Sequence, residues 1–222
     1  MPTKAEEFLK NSGVFPYSYR DLIFDTENFE SRATDKIIAH MNLRHEYIAK
    51  FGFAVIDDGV IEIIRKYQPI VEIGAGSGYW AFELRKAGID IIPTDPKISR
   101  YWHIGYHRPS LVEAGAHQNG QFWEKEWITV EKRNATQALI KYPDRTLLTV
   151  WPDYDNPWTG RMLQRYKGKH VIYVGEDECG CTGNKKFHQI LEQDYDMIED
   201  YGIPQFDGIH DTLKIYERKV KV

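Results

Sequence analysis

The residues whose types and spacing could do chemistry cluster in Val71-Glu72-Ile73-Gly74-Ala75-Gly76-Ser77-Gly78-Tyr79-Trp80. A short apolar run meets an acid, then glycine at every second position, then a helical pattern. A strand that ends in such a loop and feeds a helix makes a nucleotide cradle. Glycine lets the backbone approach a ligand closely and take positive φ, and the helix start offers free N–H groups. The acid discriminates among nucleotides, because a carboxylate beside a pyrophosphate is repelled. The third glycine of a dinucleotide fingerprint is replaced by Tyr79. No Gly-Lys-Ser/Thr follows, which excludes a phosphate-binding NTPase loop. Glu72 instead suits a ligand carrying an ammonium and a sulfonium. Asp95, at the end of the next apolar run, is placed to accept hydrogen bonds from a ribose diol, and Asn134 could bond the edge of an adenine.

These side chains need a scaffold, and the pattern supplies one. Strands are predicted at Ile70–Ile73, Ile89–Pro93, Trp127–Glu131, Leu147–Trp151 and His170–Val174. Helices are predicted between them at Tyr79–Ala87, Ala135–Lys141 and Trp158–Tyr166, with another at Lys185–Gln193. Short apolar strands alternating with helices imply a parallel sheet covered on both faces. Tyr195–Tyr201 and Thr212–Glu217 are joined by a link too short for a crossover helix, so they should run antiparallel. Upstream, helices are expected near the N-terminus, over Thr34–Tyr47, and from Asp57 or Asp58 as cap through Tyr67. The predicted fold is α/β: a doubly wound, mostly parallel, seven-stranded sheet with an antiparallel terminal strand. Residues 1–43 read as an N-terminal helical extension, 44–222 as the main domain, and 97–123 as a lid-like insertion rich in aromatic residues and histidine.

Bulk properties narrow the class. The chain has 222 residues, 42% hydrophobic and 14% aromatic, enough for one globular domain with a full core. A net charge of -4 argues against gripping nucleic acid through overall charge. No apolar run approaches a membrane span and no signal-type segment opens the chain, so a cytoplasmic protein is expected. Cys179 and Cys181, with no second cysteine pair, do not make a zinc site. His103 and His107 are spaced by four, but Gly105 weakens a helix between them, so packing is the expected role.

Glu72-x-Gly74-x-Gly76-x-Gly78 together with Asp95 resembles the S-adenosylmethionine-dependent methyltransferases of the Rossmann-like class, over roughly residues 44–217. The resemblance implies S-adenosyl-L-methionine as cofactor. It places Glu72 near the methionine amino group and the backbone of Gly74, Ala75, Gly76, Gly78 and Tyr79 along the methionine and ribose. Asp95 would hold the ribose hydroxyls. Asn134 stands where the family has an Asp contacting the adenine amine. An aromatic residue before the first strand, Phe51 or Phe53, would pack against the methionine part.

Ligand and reacting group lie at the carboxyl ends of the strands in such a sheet. The fourth strand ends in Trp151-Pro152-Asp153-Tyr154, which resembles the Asn/Asp/Ser-Pro-Pro-Tyr motif of amino-methyltransferases. There the first side chain and the following carbonyl accept from a target amine, and the aromatic residue stacks on it. Pro152 and Tyr154 match; Trp151 replaces the polar residue and cannot accept a hydrogen bond. Asp153 or Asp155 could stand in as acceptor or base. Alternatively, Trp151 and Tyr154 pack the loop and the two aspartates cap the next helix. The loop from Val174 to Gly183, with three acids, reads as a wall favouring a cationic or amine-bearing substrate, or as an ordinary turn. The expected activity is N-methylation of a small molecule or exposed base, with O-methylation close behind. The rivals are a nucleic-acid amino-methyltransferase and a cofactor-binding regulator without turnover.

Overall fold

The structure is a computed structural model that describes residues 2–13, 29–96, 123, 125–178, 180–206 and 208–220. Before the sheet come α1 (Lys4–Ser12), α2 (Phe29–Phe51) and α3 (Asp58–Arg65). Strands and helices then alternate: β1 (Ile70–Ile73), α4 (Tyr79–Lys86), β2 (Ile91–Asp95), β3 (Glu131–Lys132), α5 (Ala135–Lys141), β4 (Thr146–Val150) and α6 (Pro157–Arg165). β5 (His170–Gly175), α7 (Lys185–Asp194), β6 (Tyr195–Gly202) and β7 (Thr212–Arg218) complete the order.

The sheet has seven strands in the order β3-β2-β1-β4-β5-β7-β6. β1 to β5 are parallel, and β7 runs antiparallel between β5 and β6. This is the doubly wound, Rossmann-like arrangement the sequence implies, including the antiparallel end. The strand order reverses at β1, so the crevice at its carboxyl end lies at the topological switch point where ligands bind in such sheets.

Side chains on the parallel strands alternate between two cores. Ile70, Ile91, Leu148, Ile172 and Val174 face α1–α4, with Leu9, Tyr47, Ile64 and Leu84 among their neighbours. Val71, Ile73, Leu147, Val171 and Tyr173 face the other way, onto Leu139, Met162, Leu163, Phe187 and Leu191. Each fully buried aliphatic side chain is worth about 1.5–3 kcal/mol, so burying both faces fixes the strand register. A one-residue slip would exchange the two faces.

Three sequence expectations change. α2 is a single helix to Phe51, so the expected boundary at residue 43 falls inside it, and α1 buries Ala5 and Leu9 in the same core as Leu43 and Tyr47. The third strand is not Trp127–Glu131 but the two residues Glu131–Lys132, paired with Thr94 and Asp95. The cause is Trp127. Its backbone N–H donates to Ser77 O (2.9 Å) and its indole to Lys50 O (2.6 Å). Its ring packs on Phe51, Tyr79 and Phe82. The segment is thereby drawn across the start of α4 instead of along β2. Finally, the cap of α6 is neither Asp153 nor Asp155 but Asn156, whose Oδ1 accepts from Trp158 N.

Candidate functional site

The carboxyl ends of β1, β2, β4 and β5 lie along one edge of the sheet, and the residues gathered there form two halves of a candidate crevice. The first is the glycine turn. Gly74 and Ala75 donate their N–H groups to Thr94 O (3.0 and 3.1 Å), and Gly78 N bonds Ala75 O (2.8 Å). Two positions demand glycine. Gly76 has φ +53, and a Cβ there would meet the Trp123 indole at 2.8 Å; Gly78 has φ +75, and a Cβ would meet Val130 and Ile128 at 2.8 and 2.9 Å. Gly76 N–H donates to Asp95 Oδ2 (3.2 Å), so the turn is bound to the end of the neighbouring strand.

Glu72 and Asp95 are buried, 2% and 6% exposed. Burial, with the Asp95 charge adding to it, pushes the Glu72 carboxyl up to about 8, against a hydrogen bond from the Ala81 backbone. Glu72 Oε2 has no hydrogen-bond partner among the described residues. A buried orphan carboxylate oxygen costs free energy unless something compensates it. A ligand with an ammonium group supplies that compensation, and a pyrophosphate does not.

Other predicted cofactor residues are placed less uniformly. Tyr79 turns its side chain away from the turn: its hydroxyl accepts from Ala5 N (2.7 Å) and donates to Glu83 Oε1 (3.2 Å). With Lys4 N donating to Glu83 Oε1 (2.9 Å), the pair docks the N-terminus of α1 on α4. Only the Tyr79 backbone remains at the turn. Asn134 follows β3 at the right end of the sheet, but it is exposed and its side chain caps α5, accepting from Gln137 N (3.0 Å). Of the two phenylalanines, Phe51 is buried against Tyr47, Tyr79 and Trp127. Phe53 reaches the crevice, stacked on Trp151 at 4.8 Å between ring centroids with 8° between planes.

The second half is the loop after β4. Trp151 has φ +49, rare for a bulky residue. Three contacts hold it there: its N–H bonds Val174 O (2.8 Å), its indole N–H donates to Asp211 Oδ1 (2.7 Å), and Phe53 stacks on its ring. The Arg44 guanidinium lies 5.7 Å from the ring centroid. Asp211 is 2% exposed, and burial raises its carboxyl to about 7, the Trp151 hydrogen bond and Arg44 opposing and Glu176 reinforcing. Burial lowers Arg44, and Asp211 and Glu176 counter it.

Pro152 is buried and its carbonyl accepts the Gly183 N–H (2.8 Å), while Asp155 N–H donates to Gly183 O (3.0 Å). An antiparallel bridge between Asp153 and Thr182 completes this clasp. The carbonyl that would receive an amine in the amino-methyltransferase motif is thus already bonded within the chain, and Trp151 is a donor. Asp153 Oδ2 accepts from Trp158 Nε1 (2.9 Å) and Asn156 Nδ2 (3.3 Å), and burial raises its carboxyl. Tyr154 is 58% exposed at the rim.

The loop after β5 is built inward. Glu176, 5% exposed, accepts from Cys181 N (2.7 Å) and His210 N (3.0 Å), and Asp177 pairs with Lys214. Its negative wall is therefore partly spent on internal bonds. Cys179, His103 and His107 lie outside the described residues, as does the 97–123 insertion except Trp123. Among the described residues no group of three or more His, Cys, Asp or Glu could hold a metal ion, and no helix is long and apolar enough to cross a membrane.

Sequence reasoning missed the roles of Arg44 and Asp211. Arg44 sits in a helical pattern where a surface role is the default, and Asp211 precedes a strand sixty residues from its partner. No local signal connects them.

No protein-family model matches the chain, and no curated protein matches it. Solved structures do. One is magnesium protoporphyrin IX methyltransferase from Synechocystis PCC 6803 with bound SAM: 12% identity, 73% of this chain and 77% of that one, TM-score 0.43. Another is ribosomal protein L11 methylase from Lactobacillus delbrueckii subsp. bulgaricus: 17% identity, 72% and 75%, TM-score 0.40. A third is precorrin-6y C5,15-methyltransferase from Geobacter metallireducens GS-15: 14% identity, 80% and 96%, TM-score 0.41. The fold assignment rests on the strand order given above.

Proposed function

We propose that the chain is an S-adenosylmethionine-dependent methyltransferase acting on a small molecule or an exposed base. The observation that carries this reading is the buried Glu72 carboxyl with its orphan oxygen, set beside Asp95 across the glycine turn. Glu72 would hold the cofactor's ammonium and Asp95 its ribose diol, with the N–H groups of the glycine turn close by. When bound, the cofactor supplies an activated methyl group on a sulfonium. What remains for the chain is to align the acceptor, exclude water and take up a proton.

The acceptor side lacks the usual amine clamp. Trp151 donates instead of accepting, and the Pro152 carbonyl is occupied by Gly183. Asp153 is the group we assign as proton acceptor. Its burial raises its proton affinity, and it stands in the motif position after Pro152. The N-methylation reading then relies on Asp153 and the exposed Tyr154, with O-methylation as the second reading.

Calorimetry with S-adenosylmethionine and S-adenosylhomocysteine tests the cofactor directly. Saturable binding of both is expected. Absence of heat and of any thermal shift with either ligand would overturn the reading. For the acceptor, labelled cofactor offered with small amines, phenols and nucleobases should give product with one class. Transfer to RNA or DNA that weakens steeply with salt would point to a nucleic-acid substrate.

A further inference from the structure

One aromatic side chain at the crevice has no role in the arrangement so far. Trp123 lies against Gly76 closely enough that a Cβ there would come within 2.8 Å of Cζ2, 3.1 Å of Cε2 and 3.3 Å of Nε1. It packs with Ile48 of α2 and with Phe53, 6.1 Å away and edge-on at 81°. Phe53 in turn stacks on Trp151. The three rings therefore form a continuous arc from the middle of the glycine turn to the loop after β4. Gly76 is flanked twice, by Asp95 at its amide and by Trp123 at its α-carbon.

We propose that Trp123 is a cofactor-binding residue: with Phe53 it forms the apolar wall that covers the glycine turn facing the Glu72–Asp95 pair. The inference rests on the cofactor reading above and names a residue of that same site. A ligand held by Asp95 and Glu72 with its reactive end toward Trp151 must run along this arc. The arc offers a large aromatic surface, which suits the sulfonium end of the ligand and keeps water from its methyl carbon. It also explains why position 76 cannot carry a side chain: the indole occupies the space.

The test is calorimetric titration of the full-length chain with S-adenosylhomocysteine, comparing wild type, Trp123→Ala, Trp123→Phe, Gly76→Ala and the double variant Gly76→Ala/Trp123→Ala. Melting curves identify any variant that fails to fold. Trp123→Ala should bind about tenfold or more weakly than wild type, as expected for loss of a buried aromatic contact, and Trp123→Phe should recover most of the loss. Gly76→Ala should lose affinity, and in the double variant its additional effect should shrink, because the clash is gone. Wild-type affinity in folded Trp123→Ala overturns the proposal, and tighter binding there does so too, since the indole would then be a plug and not a wall. Should Trp123→Ala not fold, Trp123→Phe and Trp123→Leu decide: equal affinity in both overturns the proposal, and a preference for Phe supports it. Failure of the wild type to bind at all counts against the cofactor reading itself, a distinct outcome.

Discussion

The two halves of the crevice are built by opposite means. At the ends of β1 and β2 the geometry is almost entirely local: glycines with positive φ, backbone bonds to Thr94 O, and an amide donated to Asp95 nineteen residues away. At the ends of β4 and β5 it is assembled from distant parts. Trp151 is held by Asp211 from the start of β7, by Phe53 from before β1, and by Val174 from β5. The first half takes its shape from a backbone turn, to which the Asp95 carboxylate, the Trp123 ring and the Trp127 N–H are added from outside. The second depends on a large side chain fixed in a conformation it would not adopt alone. On the function proposed above, the cofactor side would be met by a local solution and the acceptor side shaped by long-range contacts.

The largest test of that contrast is Glu72→Gln. Glu72 has a folded value near 8 against an ordinary 4.5, so between those pH values the folded chain holds a proton that the unfolded chain has released. Folding stability contributed by the neutral carboxyl is therefore full below about 4.5 and is lost as pH rises through about 8. Glu72→Gln abolishes that dependence. Without ligand, its melting point relative to wild type should climb between pH 5 and pH 8.5, by about 10 °C. Its affinity for S-adenosylmethionine should fall about tenfold, because an ammonium at the site favours ionisation of Glu72 and an amide cannot ionise. Stabilised when empty and weakened in binding is the signature of a buried acid kept for a cation. A parallel pH dependence in both proteins, with unchanged affinity, would make Glu72 an ordinary core residue.

Asp211→Ala probes the other half. It leaves the Trp151 indole N–H without its acceptor and the buried Arg44 without one of its counter-charges, while also removing a carboxyl whose own burial is costly. The net loss should be about 2 kcal/mol, seen as a lower midpoint in urea. Asp211→Asn keeps an acceptor for the indole and should lose less. Affinity for S-adenosylhomocysteine should stay within about twofold of wild type in both variants. A large loss of cofactor affinity would show that the halves are coupled and break the division drawn here.

This division also explains what was legible from sequence. β1, α5 and the antiparallel β6–β7 pair follow from apolar periodicity and turn residues, and the glycine turn follows from spacing. β3 shrank because Trp127 found partners on α2 and α4, a tertiary preference that overrides a β-like local pattern. Phe53 was distinguishable from Phe51 only once Gly52, with φ +111, ended α2 and sent the two rings in different directions. The Pro152 carbonyl read as an open acceptor because a motif reports side chains and not the backbone clasp to Gly183. The shape of the glycine turn was readable in the spacing of its glycines, whereas the contacts that fix Trp151 and Pro152 join residues about 20 to 100 positions apart and leave no local signal.

Asn134 separates these two kinds of evidence at the smallest scale. By position, just after β3, it stands where a contact to an adenine would come from. By hydrogen bonding it is a helix cap: Oδ1 accepts from Gln137 N, and Gln137 Oε1 returns a bond to Asn134 N, each at 3.0 Å. A cap of this kind is worth about 1 kcal/mol. Asn134→Ala should therefore lower the melting point by a few degrees, and Asn134→Asp, which keeps the acceptor, should restore it. If capping is the whole role, neither substitution moves the affinity for S-adenosylhomocysteine measured against its inosine counterpart. If the amide also meets the base, the preference for the adenine form changes in Asn134→Ala while the melting point shifts as before. The ratio of the two affinities isolates the base contact, because the loss of the cap acts on both ligands equally.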